Sequence, residues 1–347
     1  MLKKFTKVFI TGLFLLSFSL SYSQGDIDQL LESSLEDANT LMKAYTDPFM
    51  TGFGAGLGSG WYNTAKAHKS LGFDLGFTVG LAYVPDEDLF FDVSSLSLNN
   101  TNVAADNPFG DRAPTIFGPD TEPRFEYTYT DDNTGQTFTE QFSGPPGTGL
   151  EEEIGFAAAP VIIPQLGIGI VKNTDLKIRW LPEIDLGDDG KFKLFGIGVM
   201  HDVKQHIPGL KLAPFDMSVL VAFTDVTTTV DLSDSADPST AGQSGLFDVN
   251  TWTFQALASK KFSVLTLYGG LGFNRVRSEL KLLGDYTVND DAGNETTISD
   301  PIDLEFKSGG ARFTAGMRLK LAILTLHADY TFQKYNVLSV GLGFAVR

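Results

Sequence analysis

The sequence predicts an all-β chain that closes into an antiparallel transmembrane β-barrel of about 12 strands (about 12 to 14), with an N-terminal helix before it. Three observations carry this expectation. Near the C-terminus Leu338, Val340, Leu342, Phe344 and Val346 alternate with Ser339, Gly341, Gly343, Ala345 and Arg347. In Gly72–Tyr83 the odd positions are Phe73, Leu75, Phe77, Val79, Leu81 and Tyr83, and the even ones are small or polar. Successive side chains of a strand point to opposite faces, so each stretch has one face for an apolar environment and one for water or close packing. The third observation is an export signal. Lys3, Lys4 and Lys7 precede the apolar run Val8–Leu20, and Ser21-Tyr22-Ser23 forms a small-x-small cleavage site before Gln24.

The run Val8–Leu20 is shorter than the roughly 17 to 20 residues that a spanning helix needs, so residues 1–23 read as a cleaved signal peptide. The chain has no cysteine, which excludes a lipoprotein anchor, disulfides and thiolate chemistry. No later stretch is apolar enough for a membrane helix, so an exported membrane protein of this sequence crosses lipid as a closed sheet. That composition points to the bacterial outer membrane. A net charge of −17 makes nucleic acid an unsuitable partner. The acids concentrate between strands, in Asp185–Asp189, Asp225–Asp237 and Asp285–Asp303, as solvated loops require.

Along the mature chain, Ile27, Leu30, Leu31, Leu35, Ala38, Leu41 and Met42 recur at helical spacing, which predicts a helix over Ile27–Tyr45. It should end near Asp47-Pro48, because the residue before proline is pushed out of the helical region. Residues 24–48 thus form a helical unit and candidate plug, and residues 49–347 the barrel. Strands are expected near 52–62, 71–84, 89–98, 160–171, 175–186, 191–201, 214–230, 247–259, 263–283, 304–320, 324–333 and 337–347. Short turns are expected on the periplasmic side at Pro85–Asp88, Lys172–Asp175, Ser259–Phe262 and Leu321–Ile323, with Asp202–Ala213 longer. Long outer connections are expected at 99–150, Asp231–Leu246 and Gly284–Asp303. The outer loop 99–150 is proline-rich, and Phe125, Tyr127, Tyr129, Phe138 and Phe142 flank Asp131-Asp132-Asn133-Thr134-Gly135, as in a hairpin standing above the barrel.

The apolar face should meet outer-membrane lipid, with Trp61, Tyr83, Trp180, Tyr330 and Phe332 near the strand ends where aromatic belts sit. The opposite parity places Asp74, Lys177, Arg179, Glu183, Arg312, Arg318, Lys320, His327 and Asp329 on the lumen side, as paired structural charges or as a substrate path. Gly52, Gly54, Gly56, Gly58 and Gly60 alternate with Phe53, Ala55, Leu57, Ser59 and Trp61, so a first strand there would offer bare backbone to a close neighbour, the helix being the nearest.

Catalytic chemistry is not signalled. His68, His201, His206 and His327 are scattered, and the five-residue spacing of His201 and His206 fits no shared helix or strand face, so no metal site is expected. No glycine pattern opens a helix after a strand for phosphate, no serine sits in a nucleophile elbow, and no cofactor is implied. Asp131–Gly135 and Asp290–Glu295 read as turns rather than calcium loops.

Gly58–Lys69 (Gly-Ser-Gly-Trp-Tyr-Asn-Thr-Ala-Lys-Ala-His-Lys), Gly72-Phe73-Asp74-Leu75, Val84-Pro85-Asp86-Glu87-Asp88 and Lys204–Asp216 together resemble an uncharacterised family of outer-membrane barrels from Bacteroidota. More loosely, an N-terminal helix before a barrel with a large outer loop is similar to the long-chain fatty-acid transporters of the outer membrane, with their N-terminal hatch and lateral opening. The resemblance implies a channel or transporter for small apolar molecules, with a hydrophobic small-molecule ligand and the barrel-insertion machinery as partners. It transfers no binding residues. Outer-membrane barrels commonly end on an aromatic residue, whereas this chain ends Phe344-Ala345-Val346-Arg347. The alternatives are a non-transporting surface platform, a partner in an envelope complex, or a passive polar pore. The pattern does not support an enzyme.

Overall fold

The computed structural model describes residues 35–130, 134–185, 190–232, 240–289 and 295–346. The expected signal peptide, the start of the helix at Ile27, and the acidic turns at Asp131-Asp132-Asn133 and Asp290–Gly293 lie outside the described residues. Ten strands form the wall: β1 (Phe73–Tyr83), β2 (Ala158–Gly169), β3 (Thr174–Asp185), β4 (Lys191–Asp202), β5 (Asp216–Asp231), β6 (Ser244–Phe262), β7 (Leu265–Leu283), β8 (Ile302–Leu321), β9 (Leu324–Phe332) and β10 (Val337–Val346). Each pairs antiparallel with the next, and β1 pairs with β10 from Phe73↔Val346 to Ala82↔Val337, which closes the ring. Closure leaves no free edge strand, the condition for a sheet that spans lipid.

The expectation of about twelve strands is therefore corrected to ten. Residues 52–62 are not a strand, and residues 89–98 hold only the short strand Phe90–Asp92 and a turn of 3₁₀-helix at Val93–Ser95 inside the connection 84–157. Losing one expected strand on each side of β1 keeps the count even but reverses the direction of β1. Pro85–Asp88 consequently lies at the same end as the long connections, not at the short-turn end. The short-turn end carries residues 170–173, 203–215, 263–264 and 322–323. Above the opposite end, Arg124–Thr130 pairs with Thr137–Ser143 and with Thr101–Val103 in a three-stranded sheet.

Outward positions are apolar and exposed, among them Phe77 (45 %), Phe254 (44 %), Leu271 (65 %), Phe313 (45 %) and Phe344 (51 %). In water such a belt would be an aggregation surface, whereas against hydrocarbon it is the required face. Trp180, Trp252 and Phe332 belong to it. Trp61 does not: it is 1 % exposed and sits inside the ring.

Helix α1 (Leu35–Leu57) runs through Pro48 instead of stopping there. Proline has no N–H to give the carbonyl four residues earlier, a cost of about 3 kcal/mol in an isolated helix. Burial outweighs it here. Tyr45, Phe49, Met50 and Phe53 are all buried, and Phe49 packs against Phe117 of the long connection and Phe247 of β6 at ring separations of 6.2 and 5.4 Å. The first turn of α1 is tied to the long connection 84–157: the buried Asp37 carboxylate accepts from the backbone N–H groups of Asn99, Asn100 and Thr101 at 2.8, 3.0 and 3.0 Å. An acid there also suits the positive end of the helix.

Candidate functional site: a threaded lumen and a lateral seam

The chain enters the ring from the long-connection end and passes through it. Helix α1 contacts β1, β2, β6, β7 and β8, which lie on different sides of the wall. Glycines make this fit possible. A Cβ on Gly54 would stand 2.3 Å from Val276 Cγ1, and one on Gly56 would stand 2.9 Å from Val161 Cγ1. The close approach expected of Gly52, Gly54 and Gly56 is present, but it is a helix against the wall rather than a strand against a helix. Their alternation imitates a strand because only every second position must be bare.

Two buried guanidiniums receive the end of the helix. Arg179 of β3 donates to the carbonyls of Leu57 (2.7 Å) and Ser59 (2.6 Å) and to Gln165 Oε1 (3.0 Å), with its guanidinium 3.6 Å from the Trp61 ring centroid. Arg312 of β8 donates to the Gly58 carbonyl and to Ser59 Oγ, both at 2.8 Å. The last carbonyls of a helix lack intrahelical partners and carry its negative end, so cations are favoured there. Beyond them Tyr62 packs edge-on to Tyr268, with 5.7 Å between ring centroids. The Ala65 N–H donates to Ser259 Oγ (2.9 Å), while Ser218 Oγ donates to the Ala65 carbonyl (2.6 Å). His68 then meets Asp175, its backbone N–H donating to Oδ1 at 2.8 Å and Nδ1 lying 2.9 Å from Oδ2. Leu71 donates to the Gly169 carbonyl at the short-turn rim, where β1 begins. Residues 52–69 thus occupy the lumen from one end to the other.

Of the residues expected to line the lumen, Lys177, Arg179, Arg312, Arg318, His327 and Asp329 are buried on the inward row, and Asp74 and Lys320 lie on the same row, partly covered. Asp329 accepts from Tyr268 Oη at 2.9 Å. Glu183 is not in the lumen. A bulge between Leu181 and Ile184 shifts the β3–β4 register by one residue and moves Glu183 to the outside, where it is 60 % exposed and 3.7 Å from Lys191. Sequence reasoning missed that His201 and His206 meet, with Nε2 atoms 2.9 Å apart, because the turn that joins them has neither helix nor strand periodicity. Among the described residues no three His, Cys, Asp or Glu side chains gather as a metal would need.

Among the described residues, the ladder between β2 and β3 stops short. The ladder between β2 and β3 runs only from Gly169↔Asp175 to Gln165↔Arg179, so residues 158–164 and 180–185 face each other without pairing. Pro160, Pro164 and Pro182 lie in these two stretches, and a proline supplies no N–H to a ladder. The seam is in the long-connection half of the barrel. Exposed Trp180 and Ile184 lie along it, and Val161 behind it touches Gly56 of the lumen segment. At that end a narrow apolar cleft also separates α1 from the long connection, lined by Leu41, Met42, Tyr45, Phe91, Pro114 and Phe125 among others. Near it, burial pushes the Asp47 carboxyl above its usual range, with Lys334 opposing the shift and Asp88 adding to it. Tyr335 Oη donates to Asp88 at 2.6 Å, and burial raises the phenol's pKa.

These features define a ten-stranded up-and-down barrel whose own N-terminal segment fills its lumen. The chain belongs to a family of unknown function, DUF6588, whose profile matches residues 2–346. No curated protein matches it. Similar solved structures include Ail, the attachment invasion locus protein of Yersinia pestis, in complex with sucrose octasulfate, at 9 % identity over 80 % of this chain and 98 % of that chain, TM-score 0.24. They also include the translocator domain of the autotransporter NalP from Neisseria meningitidis, at 10 % identity over 81 % and 90 %, TM-score 0.29. At these scores neither likeness bears on what this chain does.

Proposed function

We propose that this protein is an outer-membrane conduit for small apolar molecules, closed along its axis by residues 52–69 and opening sideways between β2 and β3. The observation that carries this reading is the unpaired stretch of wall at 158–164 and 180–185. A filled lumen argues against a passive polar pore. A seam bordered by Trp180 and Ile184 would let an apolar solute leave for lipid without crossing the charged lower lumen, and the apolar cleft beside α1 would collect it from outside. The absence of cysteine makes the test clean. Ile163→Cys and Leu181→Cys occupy positions that a continued ladder register would place opposite each other, and a short bis-maleimide joins them. Cells carrying the protein should take up the apolar fluorophore N-phenyl-1-naphthylamine faster than cells lacking it, and cross-linking should return uptake to background. Uptake that ignores the cross-link overturns the reading.

Orientation has its own expected result. Long connections face outward in bacterial barrels, which places the exposed Glu36 at the start of α1 outside the cell and Lys172 at the periplasmic rim. A membrane-impermeant maleimide should label Glu36→Cys on intact cells and Lys172→Cys only after permeabilisation. The reverse pattern would sink this orientation.

A further inference from the structure

The lower lumen, toward the short-turn rim, holds a buried cation, Arg318, that no described carboxylate contacts. Arg318 is 7 % exposed, and among the described residues it makes no hydrogen bond or ion pair; its Nε is enclosed without a partner. His327, its cross-strand neighbour, contacts Thr78 Oγ1 through Nε2 at 3.3 Å and leaves Nδ1 enclosed and unpartnered. Lys177 is 4 % exposed, and its Nζ is 4.0 Å from Asp74 Oδ1. Of the two nearby carboxylates, Asp175 is engaged by His68 through two contacts. Asp74 is the other.

The wall explains why Asp74 makes no ion pair with Arg318 and reaches it only through space. Round the ring one row runs from Lys177 on β3 through Gly167 on β2 and Asp74 on β1 to Ala345 on β10, whereas Arg318 on β8 and His327 on β9 lie on the row of Gly341 and Thr78, four residues further along β10 and β1. A Cβ on Gly167 would stand 2.3 Å from Asp74 Oδ1, so the Asp74 carboxylate lies down across β2, toward Lys177 and away from β8. A Cβ on Gly341 would stand 2.1 Å from His327 Cε1, so that imidazole lies across β10 in the same way. A guanidinium this deeply buried is costly unless an acceptor compensates it, and its fork geometry suits two oxygens of one group.

We infer that Arg318, with His327 beside it, seats an oxyanion, the carboxylate or phosphate class, reached from the short-turn end. This seat is independent of whether the barrel conducts apolar molecules. Its first measurement is thermal unfolding of the whole protein in neutral detergent at low ionic strength, titrated with inorganic phosphate, with a short-chain phosphatidate, and with sodium chloride at matched ionic strength. Phosphate should raise Tm by several degrees beyond the chloride control; a rise with phosphatidate alone would assign the same seat to a lipid headgroup. Arg318→Met should be at least as stable as the parent without added anion, because it removes an uncompensated charge and orphans no partner. Its affinity for the anion should fall about tenfold or more, as loss of charge-assisted hydrogen bonds predicts. Should that variant not fold, Arg318→Lys keeps the charge without the fork and should still weaken the response. No rise above chloride, or an equal rise in the Arg318 variant, overturns the assignment.

Discussion

Replacing Arg179 and Arg312 together by methionine should turn a silent barrel into a conducting one. In planar bilayers the parent protein should give no stable current steps, and Arg179→Met/Arg312→Met should give ohmic ones. The reason is differential. The guanidinium bonds to the Leu57, Gly58 and Ser59 carbonyls exist only while the segment is seated in the lumen. Methionine approximates the volume but offers no donor. Gly58 keeps Thr253 Oγ1 at 3.3 Å, whereas no other described donor reaches Leu57 or Ser59. Two buried carbonyls left without partners cost about 1–3 kcal/mol each, so the seated state loses about 2–6 kcal/mol against a released state in which water serves them. Removing the charges also lifts their own desolvation cost, which favours a folded wall and keeps the variant testable. Single variants should fall between, with Arg179→Met the stronger because Arg179 holds both of the carbonyls that lose every donor. A double variant that stays silent, or a parent that conducts equally, would refute the seat.

The second large effect is steric. Gly54→Ala improves intrinsic helix propensity by about 1 kcal/mol, yet it should destabilise the protein, because the new Cβ would stand 2.3 Å from Val276 Cγ1. Overpacking of this kind costs about 1–3 kcal/mol, and the wall cannot yield where β7 is hydrogen-bonded on both sides. Val276→Ala deletes both offending methyl groups and leaves Val276 Cβ, 3.2 Å from the new atom. Alone it should cost about 1–2 kcal/mol, from two buried carbon groups. Combined with Gly54→Ala it should recover most of the loss, a coupling of about 1–3 kcal/mol on a double-mutant cycle. Heat-modifiability on gels, reading the temperature at which the folded band is lost, would supply the four values. Additive losses would mean that α1 does not lie against β7 as described.

Much of the wall was legible in the chain itself. Alternation in β1 and β10, and the contrast between short and long connections, follow from local rules, because each strand must meet lipid on one side whatever its neighbours do. The same parity put Lys177, Arg179, Arg312, Arg318, His327 and Asp329 on the inner row. Glu183 failed because a one-residue bulge at Pro182 reverses parity, and the alternation rule carried the parity straight through it. The glycines from Gly52 to Gly60 gave the right need, close approach, in the wrong element, since a helix and a strand can both present a bare position every second residue.

What the sequence determined, then, is a membrane-facing antiparallel sheet with a polar interior, because side-chain alternation responds to solvent on each face one residue at a time. The tertiary structure decided the rest. It carried the helix past Pro48, since packing against Phe117 and Phe247 outweighs one missing hydrogen bond. It joined Arg179 and Arg312 to backbone carbonyls, which are identical at every residue and so leave no trace in a sequence. It also left β2 and β3 apart above Gln165 and Arg179, where three prolines lie, because whether a missing N–H matters depends on which neighbour that edge faces.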